Sequence, residues 1–465
     1  MPEFHSEPYL CLAGLTHKAA LIAWGAFYFK IRGKDLDGRW KLVEDSDLRH
    51  VHPPRHETIG ARSEPYGEAT VEVFRSDGRL AGGARTSTVN HVWITGLEPD
   101  TEYTYRVTVN GEVWAAGGRR DWVAGEERQG LLESGREYVN RFRTHPHPET
   151  RAPLVFAVIG DFGTGIRKPS SDTNRQREVS VALERAVEQS GARLILTTGD
   201  NIYAGKTFLG IPVGDTGEDD DDWFFTYFQP YRYLLNRIPV YPSVGNHDSG
   251  ETEMTDDRQQ LLDNFFIQER LEDDLKTGRA SLDPGVFYRF CYGRDIEFVC
   301  VDTSKRSILA GDRHFLSANH AAFLENAFAA GGPRWRIPFF HHPPYCAGPQ
   351  HYNSRSIIDG LVNPYFRRGG VRVAVCGHEH NFQHSRADGV DYFVTGAAGK
   401  VRDSAPSRFE EACTVSWASG AHFLLIAIEG PRLTVRTIDE KGGELARLGP
   451  DGSRVAEPMV IEAGQ

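Results

Sequence analysis

Leu154-Val-Phe-Ala-Val-Ile159-Gly160-Asp161-Phe-Gly163 is the stretch that decides the fold. Six consecutive apolar residues have the length of a strand, and an unbroken run belongs to a strand covered on both faces. A glycine and an acid follow at once, so the strand ends in a turn that presents a carboxylate at its carboxyl edge. The same grammar recurs. Arg193-Leu-Ile-Leu-Thr197 runs into Gly199-Asp200-Asn-Ile-Tyr203, Trp335-Arg-Ile-Pro-Phe-Phe340 into His341-His342-Pro343, and Val371-Arg-Val-Ala-Val375 into Gly377-His378-Glu-His380. Gly245-Asn246-His247-Asp248 is a fifth cluster of this kind. Val179, Ala182, Leu183, Ala186 and Val187 share one stripe at helical spacing, which predicts a helix over 175–190. Further strands are expected at 296–301, 392–395, 423–428 and 433–438. Strands interleaved with helices, then strand pairs, predict an α/β or α+β sandwich with helices outside. Open α/β sheets bind ligands beyond their strands' carboxyl ends, where these clusters sit.

Upstream the rhythm differs. Residues 1–144 read as all-β, from Ala20-Leu-Ile-Ala-Trp24 and Ala69-Thr-Val-Glu-Val-Phe74 onward. In Ile94-Thr-Gly-Leu97-Glu-Pro99-Asp-Thr101-Glu-Tyr103-Thr-Tyr105-Arg-Val107 a strand meets a Pro-Asp turn, and Tyr103, Tyr105 and Val107 then alternate onto one face. This pattern resembles a fibronectin type III module with Trp24 as its buried strand tryptophan. Such a sandwich needs about 100 residues, so 31–66 and 110–137 are expected as long loops. Residues 145–153, rich in proline that blocks both helix and ladder, read as a linker to a second domain at 154–465.

With 465 residues, 40% hydrophobic and 25% charged, the chain fits two globular domains. It has no uncharged apolar run long enough for a membrane span, and its first residues have neither the basic start nor the apolar stretch of a signal peptide. Compartment and oligomeric state are left open. The net charge of -11 argues against non-specific nucleic-acid binding. Six cysteines without C-x-x-C spacing read as buried free thiols.

Each polar cluster alone has an ordinary explanation. Asp161 reads as a turn or cap residue, Tyr203 as a packed aromatic, Asn246 as a turn residue, and His341 or His342 as a hydrogen-bonded core histidine. Together they offer carboxylate, amide and imidazole donors suited to iron, zinc or manganese. His378 and His380, two apart at a strand end, point to one side.

In this order and with these neighbours the clusters resemble the calcineurin-like metallophosphoesterases, and Tyr203 narrows the resemblance to the purple acid phosphatases. That resemblance implies a fibronectin-like sandwich joined to an αββα metallophosphoesterase domain. It also implies two metal ions. Asp161, Asp200, Tyr203 and His380 would hold ferric iron; Asp200, Asn246, His341 and His378 would hold iron(II), zinc or manganese, with Asp200 bridging. His247 would face the substrate and His351 would stand on the phosphate side. Pro338 departs from the family's usual valine, and the tandem His341-His342 leaves two candidates for one ligand; His341 is favoured because it follows the strand directly. His342 and His384 then read as supporting residues, the acidic run at 218–222 as a solvated loop, and the aromatic run Trp223-Phe-Phe-Thr-Tyr-Phe228 as a helix packed on the sheet. The implied reaction is hydrolysis of a small phosphate monoester by a metal-activated hydroxide attacking in line. A phosphodiesterase or nucleotide hydrolase of the same fold is the first alternative, and a non-catalytic binding or adhesion protein the second.

Overall fold

The computed structural model describes residues 3–34, 40–42, 60–124, 129–167, 170–203, 206–208, 211–213, 223–249, 251, 258–307, 309, 311–456 and 458–463. The acidic run at 218–222 lies outside them.

The C-terminal part is built on two sheets. The first runs, in spatial order, Val240–Pro242, Ile195–Thr197, Leu154–Ile159, His422–Glu429, Arg432–Asp439 and Met459–Glu462. Its first three strands are parallel, and Leu154–Ile159 pairs antiparallel with His422–Glu429. The second sheet has ten strands, among which Ile296–Cys300, Trp335–Phe339, Val373–Cys376 and Val390–Thr395 form a parallel block. Side chains alternate across it as the pleat requires. Ile337, Phe339, Val373 and Val375 enter the core shared with the first sheet, where Phe156 meets Phe298 edge to face at 5.1 Å. Val299, Val301, Ala374 and Cys376 point the other way, onto Phe323, Leu324, Leu361 and Phe366 of the helices Ala318–Ala327 and Ile358–Phe366. On the far side, helix Ser171–Ser190 buries Val179, Ala182, Leu183 and Val187 against Leu154–Ile159 and His422–Glu429. Each buried valine or leucine among them contributes roughly 1.5–3 kcal/mol on leaving water. The layers run helix, sheet, sheet, helix.

The N-terminal part is two antiparallel sheets. One contains Glu3–Leu15, Ala19–Lys34, Trp40–Leu42, Gln129–Glu133 and Arg120–Ala124, with His91–Thr95 added to the second strand. The other contains Arg141–Arg143, Glu102–Val109, Ala69–Arg75 and Leu80–Thr86. Leu10, Leu12, Ile22, Trp24, Val71, Val73, Tyr103, Tyr105 and Val107 fill the space between them. The stretches 31–66 and 110–137 differ from expectation, because Trp40–Leu42, Arg120–Ala124 and Gln129–Glu133 are strands inside them.

The reason lies in the hairpin Glu3–Leu15/Ala19–Lys34, which is buried on both faces. Opposite the sandwich, its Tyr9, Cys11, Ala13, Leu21, Ala23, Phe27 and Phe29 join the core of the C-terminal part together with Trp122 and Leu131. The aromatic run after 222 meets this face. Phe224–Phe228 is a π-helical turn, with Phe224 5.1 Å from Phe27 and 4.9 Å from Phe29, and Phe225 4.8 Å from Trp122. Beside it Arg232 donates to the buried Glu7 carboxylate at 3.0 Å and to Arg120 O at 2.6 Å. Residues 144–153 run irregularly between the two parts. Among the described residues no helix is long and apolar enough to cross a membrane. The six cysteines are unbridged; Cys11, Cys300, Cys346 and Cys376 are buried, whereas Cys291 and Cys413 are exposed.

Candidate metal centre

Five parallel strands, three from the first sheet and two from the second, bring their carboxyl ends to one edge of the sandwich. The turns that follow carry Asp161, Asp200 and Tyr203, Asn246 and His247, His341, and His378 and His380. The turns are tight. Asp161, Asp200 and His378 hold φ of 53°, 50° and 72°, a left-handed conformation that costs a side-chain-bearing residue energy and persists where surrounding contacts enforce it. Gly199, at φ 89°, passes so close to its neighbours that a Cβ there would sit 2.6 Å from His341 Nδ1 and 2.8 Å from the Gly245 backbone.

One half of the site is imidazole and amide. His341 Nδ1 lies 2.8 Å from Thr198 O, so this nitrogen carries the proton and donates it to the carbonyl, leaving Nε2 with an open lone pair. That Nε2 is 2.8 Å from Asn246 Oδ1 and 3.0 Å from His378 Nδ1, and His378 Nδ1 is 2.9 Å from the same Oδ1. Burial drives His378 well below its ordinary value, with the neighbouring histidines adding to the effect.

The other half is carboxylate and phenol. Donor atoms of Asp161, Asp200 and His380 lie within 4.8 Å of one another. Tyr203 Oη is 3.3 Å from His380 Nε2, which is 3.4 Å from Asp161 Oδ1. Burial raises Asp161 and Asp200 to about 7, and the same desolvation pushes His380 down to about 3. Asp200 stands between the halves: its Oδ1 accepts from His247 N at 3.0 Å and lies 3.5 Å from His341 Nε2.

This arrangement fits cations. Two imidazole lone pairs and an amide oxygen converge within 3.0 Å of one another, and one proton could satisfy only one of those pairs. Asp161 Oδ1 is buried without accepting a hydrogen bond. The donor types suit borderline-hard transition ions.

A calcineurin-like phosphoesterase family model matches residues 154–382, the stretch that contains all seven converging side chains. Tartrate-resistant acid phosphatase type 5 of Rattus norvegicus is 27% identical over 251 residues, covering 52% of this chain and 72% of the relative. Residues 154–382 form a calcineurin-like phosphoesterase domain, and the chain is similar to the purple acid phosphatases. Solved structures agree on the fold. PhoD superposes with TM-score 0.61 at 13% identity over 100% of this chain and 94% of its own. Purple acid phosphatase PPD1 of yellow lupin (Lupinus luteus) gives 0.54 at 13% over 99% and 74%.

The remaining candidate residues surround this group or stand apart from it. His247 stacks obliquely on Tyr203, ring centroids 4.6 Å apart, and His351 lies over His378 at 3.7 Å. His342 is close to His341 and His378, yet its ring nitrogens face Thr303 Oγ1 at 3.1 Å and Arg313 Nη1 at 3.3 Å. His384 is away from the site, with Nε2 2.6 Å from Asp391 Oδ1.

Three further residues escaped the sequence reading. Asp248 receives Asn201 N, Ile202 N, Asn201 Nδ2 and Gly245 N at 2.7–3.1 Å, tying the Asp200–Tyr203 turn to the Asn246 turn. Glu379 faces away from its flanking histidines, pairs with Arg402 at 2.6 Å and accepts from the backbone of Gln350 and His351. Lys400 holds its ammonium 3.7 Å from the centre of the Tyr203 ring. Asp248 stood inside a quoted motif, so its acid was visible; Glu379 was visible as the middle of a His-x-His; Lys400 carried no local signal.

Proposed function

We propose that this metallophosphoesterase hydrolyses small phosphate monoesters at a two-metal centre. Asp161, Asp200, Tyr203 and His380 would hold ferric iron, and Asp200, Asn246, His341 and His378 would hold iron(II), zinc or manganese, Asp200 being shared. The observation that carries this reading is the convergence of Asn246 Oδ1, His341 Nε2 and His378 Nδ1 within 3.0 Å, beside a carboxylate group that Asp200 links to it. When bound, such ions supply Lewis acidity that polarises phosphoryl oxygens and activates a water for in-line attack.

The chain's own residues do the rest. His247, with its backbone fixed by Asp200 and its ring against Tyr203, steadies the phosphoryl group from the carboxylate side. His351, held through its backbone N–H by Glu379 and stacked on His378, stands on the imidazole side, where its ring can steady a phosphoryl oxygen. The acid phosphatase named for the rat relative supports a monoester preference. In the same proposal residues 1–144 are a fibronectin type III-like sandwich, 145–153 a linker and 154–465 the catalytic domain, supported by two packed antiparallel sheets around a buried Trp24.

Metal analysis, with rates on an aryl phosphate monoester and its diester, tests the reading. Two ions per chain, faster monoester cleavage and loss of turnover on chelation are expected. A faster diester reaction would overturn the substrate assignment, and no turnover with both ions bound would overturn catalysis.

A further inference from the structure

Lys400 belongs to Gly396-Ala-Ala-Gly-Lys400, the turn after strand Val390–Thr395. This turn is stitched to the candidate centre on both sides. Ala398 N donates to Gly160 O at 3.0 Å, Lys400 N to Asp161 O at 3.3 Å, and Arg402 N to His380 O at 2.8 Å. Gly399 is required by the close approach, since a Cβ there would lie 2.9 Å from Phe162 O and Thr164 Oγ1. The Lys400 backbone is therefore fixed against the Asp161 turn, and its ammonium is directed to the Tyr203 ring, 3.7 Å from the centroid. A cation at this distance over an aromatic face is held by the ring's quadrupole and lowers the energy of its π electrons.

We propose that Lys400 is a positioning and tuning residue for the tyrosine ligand, its ammonium holding the Tyr203 ring electrons at lower energy and so weakening their donation to a trivalent ion. The proposal rests on the assignment of Tyr203 as a ferric ligand. A less donating phenolate leaves the ion a stronger Lewis acid, which is the property phosphoryl transfer needs. It also moves the tyrosinate-to-iron charge-transfer band to shorter wavelength, because the donor orbital is deeper. A lysine that only braced the turn would leave that band where it is.

The test is the visible spectrum of the iron-loaded full chain as wild type, Lys400→Met and Lys400→Arg, with metal content and thermal midpoint measured on the same samples. Lys400→Met is expected to move the band to longer wavelength by roughly 10 nm or more, and Lys400→Arg, which keeps a cation able to stack on the ring, to restore most of it. A wild-type band that stays in place in a folded, fully loaded Lys400→Met protein overturns the role of Lys400 alone. Wild-type protein with ferric iron bound but no tyrosinate band overturns the Tyr203 assignment, and the tuning role with it.

Discussion

Burial raises the carboxyl groups of Asp161 and Asp200 to about 7, whereas in the imidazole half a few ångströms away the same burial drives His378 well below its ordinary value. One cause acts with opposite results, because desolvation disfavours whichever form is charged. Carboxylates respond by holding protons, and histidines by refusing them. The imidazole half, with His341 fixed by Thr198 O and lone pairs open toward Asn246, is ready for a cation as it stands. The carboxylate half holds protons more readily than exposed carboxylates do, and an arriving cation would supply the charge that favours their loss. Asp200 reaches both halves, lying among the carboxylate donors and 3.5 Å from His341 Nε2.

Asp200 therefore carries the largest expected effect. Asp200→Ala should lose both ions and reduce turnover by roughly a thousandfold or more, the scale on which an essential electrostatic group acts. Metal stoichiometry checks it: retention of two ions per chain would end the idea of a shared ligand. Single-half variants should separate the two sides. His341→Ala is expected to release the ion of the imidazole half while any tyrosinate colour survives. Tyr203→Phe should lose the colour and keep that ion. Loss of both ions in both variants would mean that the halves are not distinct sites.

How far these halves could be read from sequence depends on distance along the chain. Asp161, Asp200, His378 and His380 follow strands within a few residues, behind glycines, and the two-residue alternation of a strand end already aligns His378 with His380 and turns Glu379 away. The sheet core was legible for the same reason, since runs such as that ending at Ile159 are local. What escaped is what depends on remote partners. Asp248 works on Asn201 and Ile202, Lys400 on Tyr203, and Glu7 on Arg232, and none of these pairs has a sequence pattern. The hairpin of Tyr9, Cys11, Leu21 and Phe27 shows weak alternation because both faces are covered, so strand Glu3–Leu15 carries no clear local signal, and Trp40–Leu42 and Gln129–Glu133, which extend the sheet beyond Ala19–Lys34, fall in stretches expected as loop.

Asp248 offers a milder perturbation of the same comparison. It touches neither half directly and clamps the Asp200–Tyr203 turn to the Gly245–Asn246 turn. Asp248→Asn keeps the shape but exchanges an acceptor for a donor facing backbone N–H groups, so both halves should loosen together. The expected loss is about 10–100-fold in metal affinity or turnover, the usual cost of a supporting contact behind a ligand. Unchanged affinity on isothermal titration would show that the turns hold their places without the clamp.

The smallest effect is on the stability of the metal-free protein, where the halves should oppose each other. Asp161 and Asp200 titrate near 7 when folded against 3.8 unfolded, so their contribution is fully present below about 4 and is lost as pH rises toward 7. His380, at about 3 folded against 6.5 unfolded, acts in reverse: its contribution is complete above about 6.5 and is lost as pH falls toward 3. Between pH 4 and 6.5 the two slopes partly cancel in the wild type. Asp161→Asn removes part of the falling slope, so its thermal midpoint in chelator should climb with pH by a few degrees relative to wild type, whereas His380→Gln should tilt the curve downward. Parallel curves for the two variants would mean that burial does not divide the site as described, because only groups titrating in opposite senses can tilt one stability curve in opposite directions.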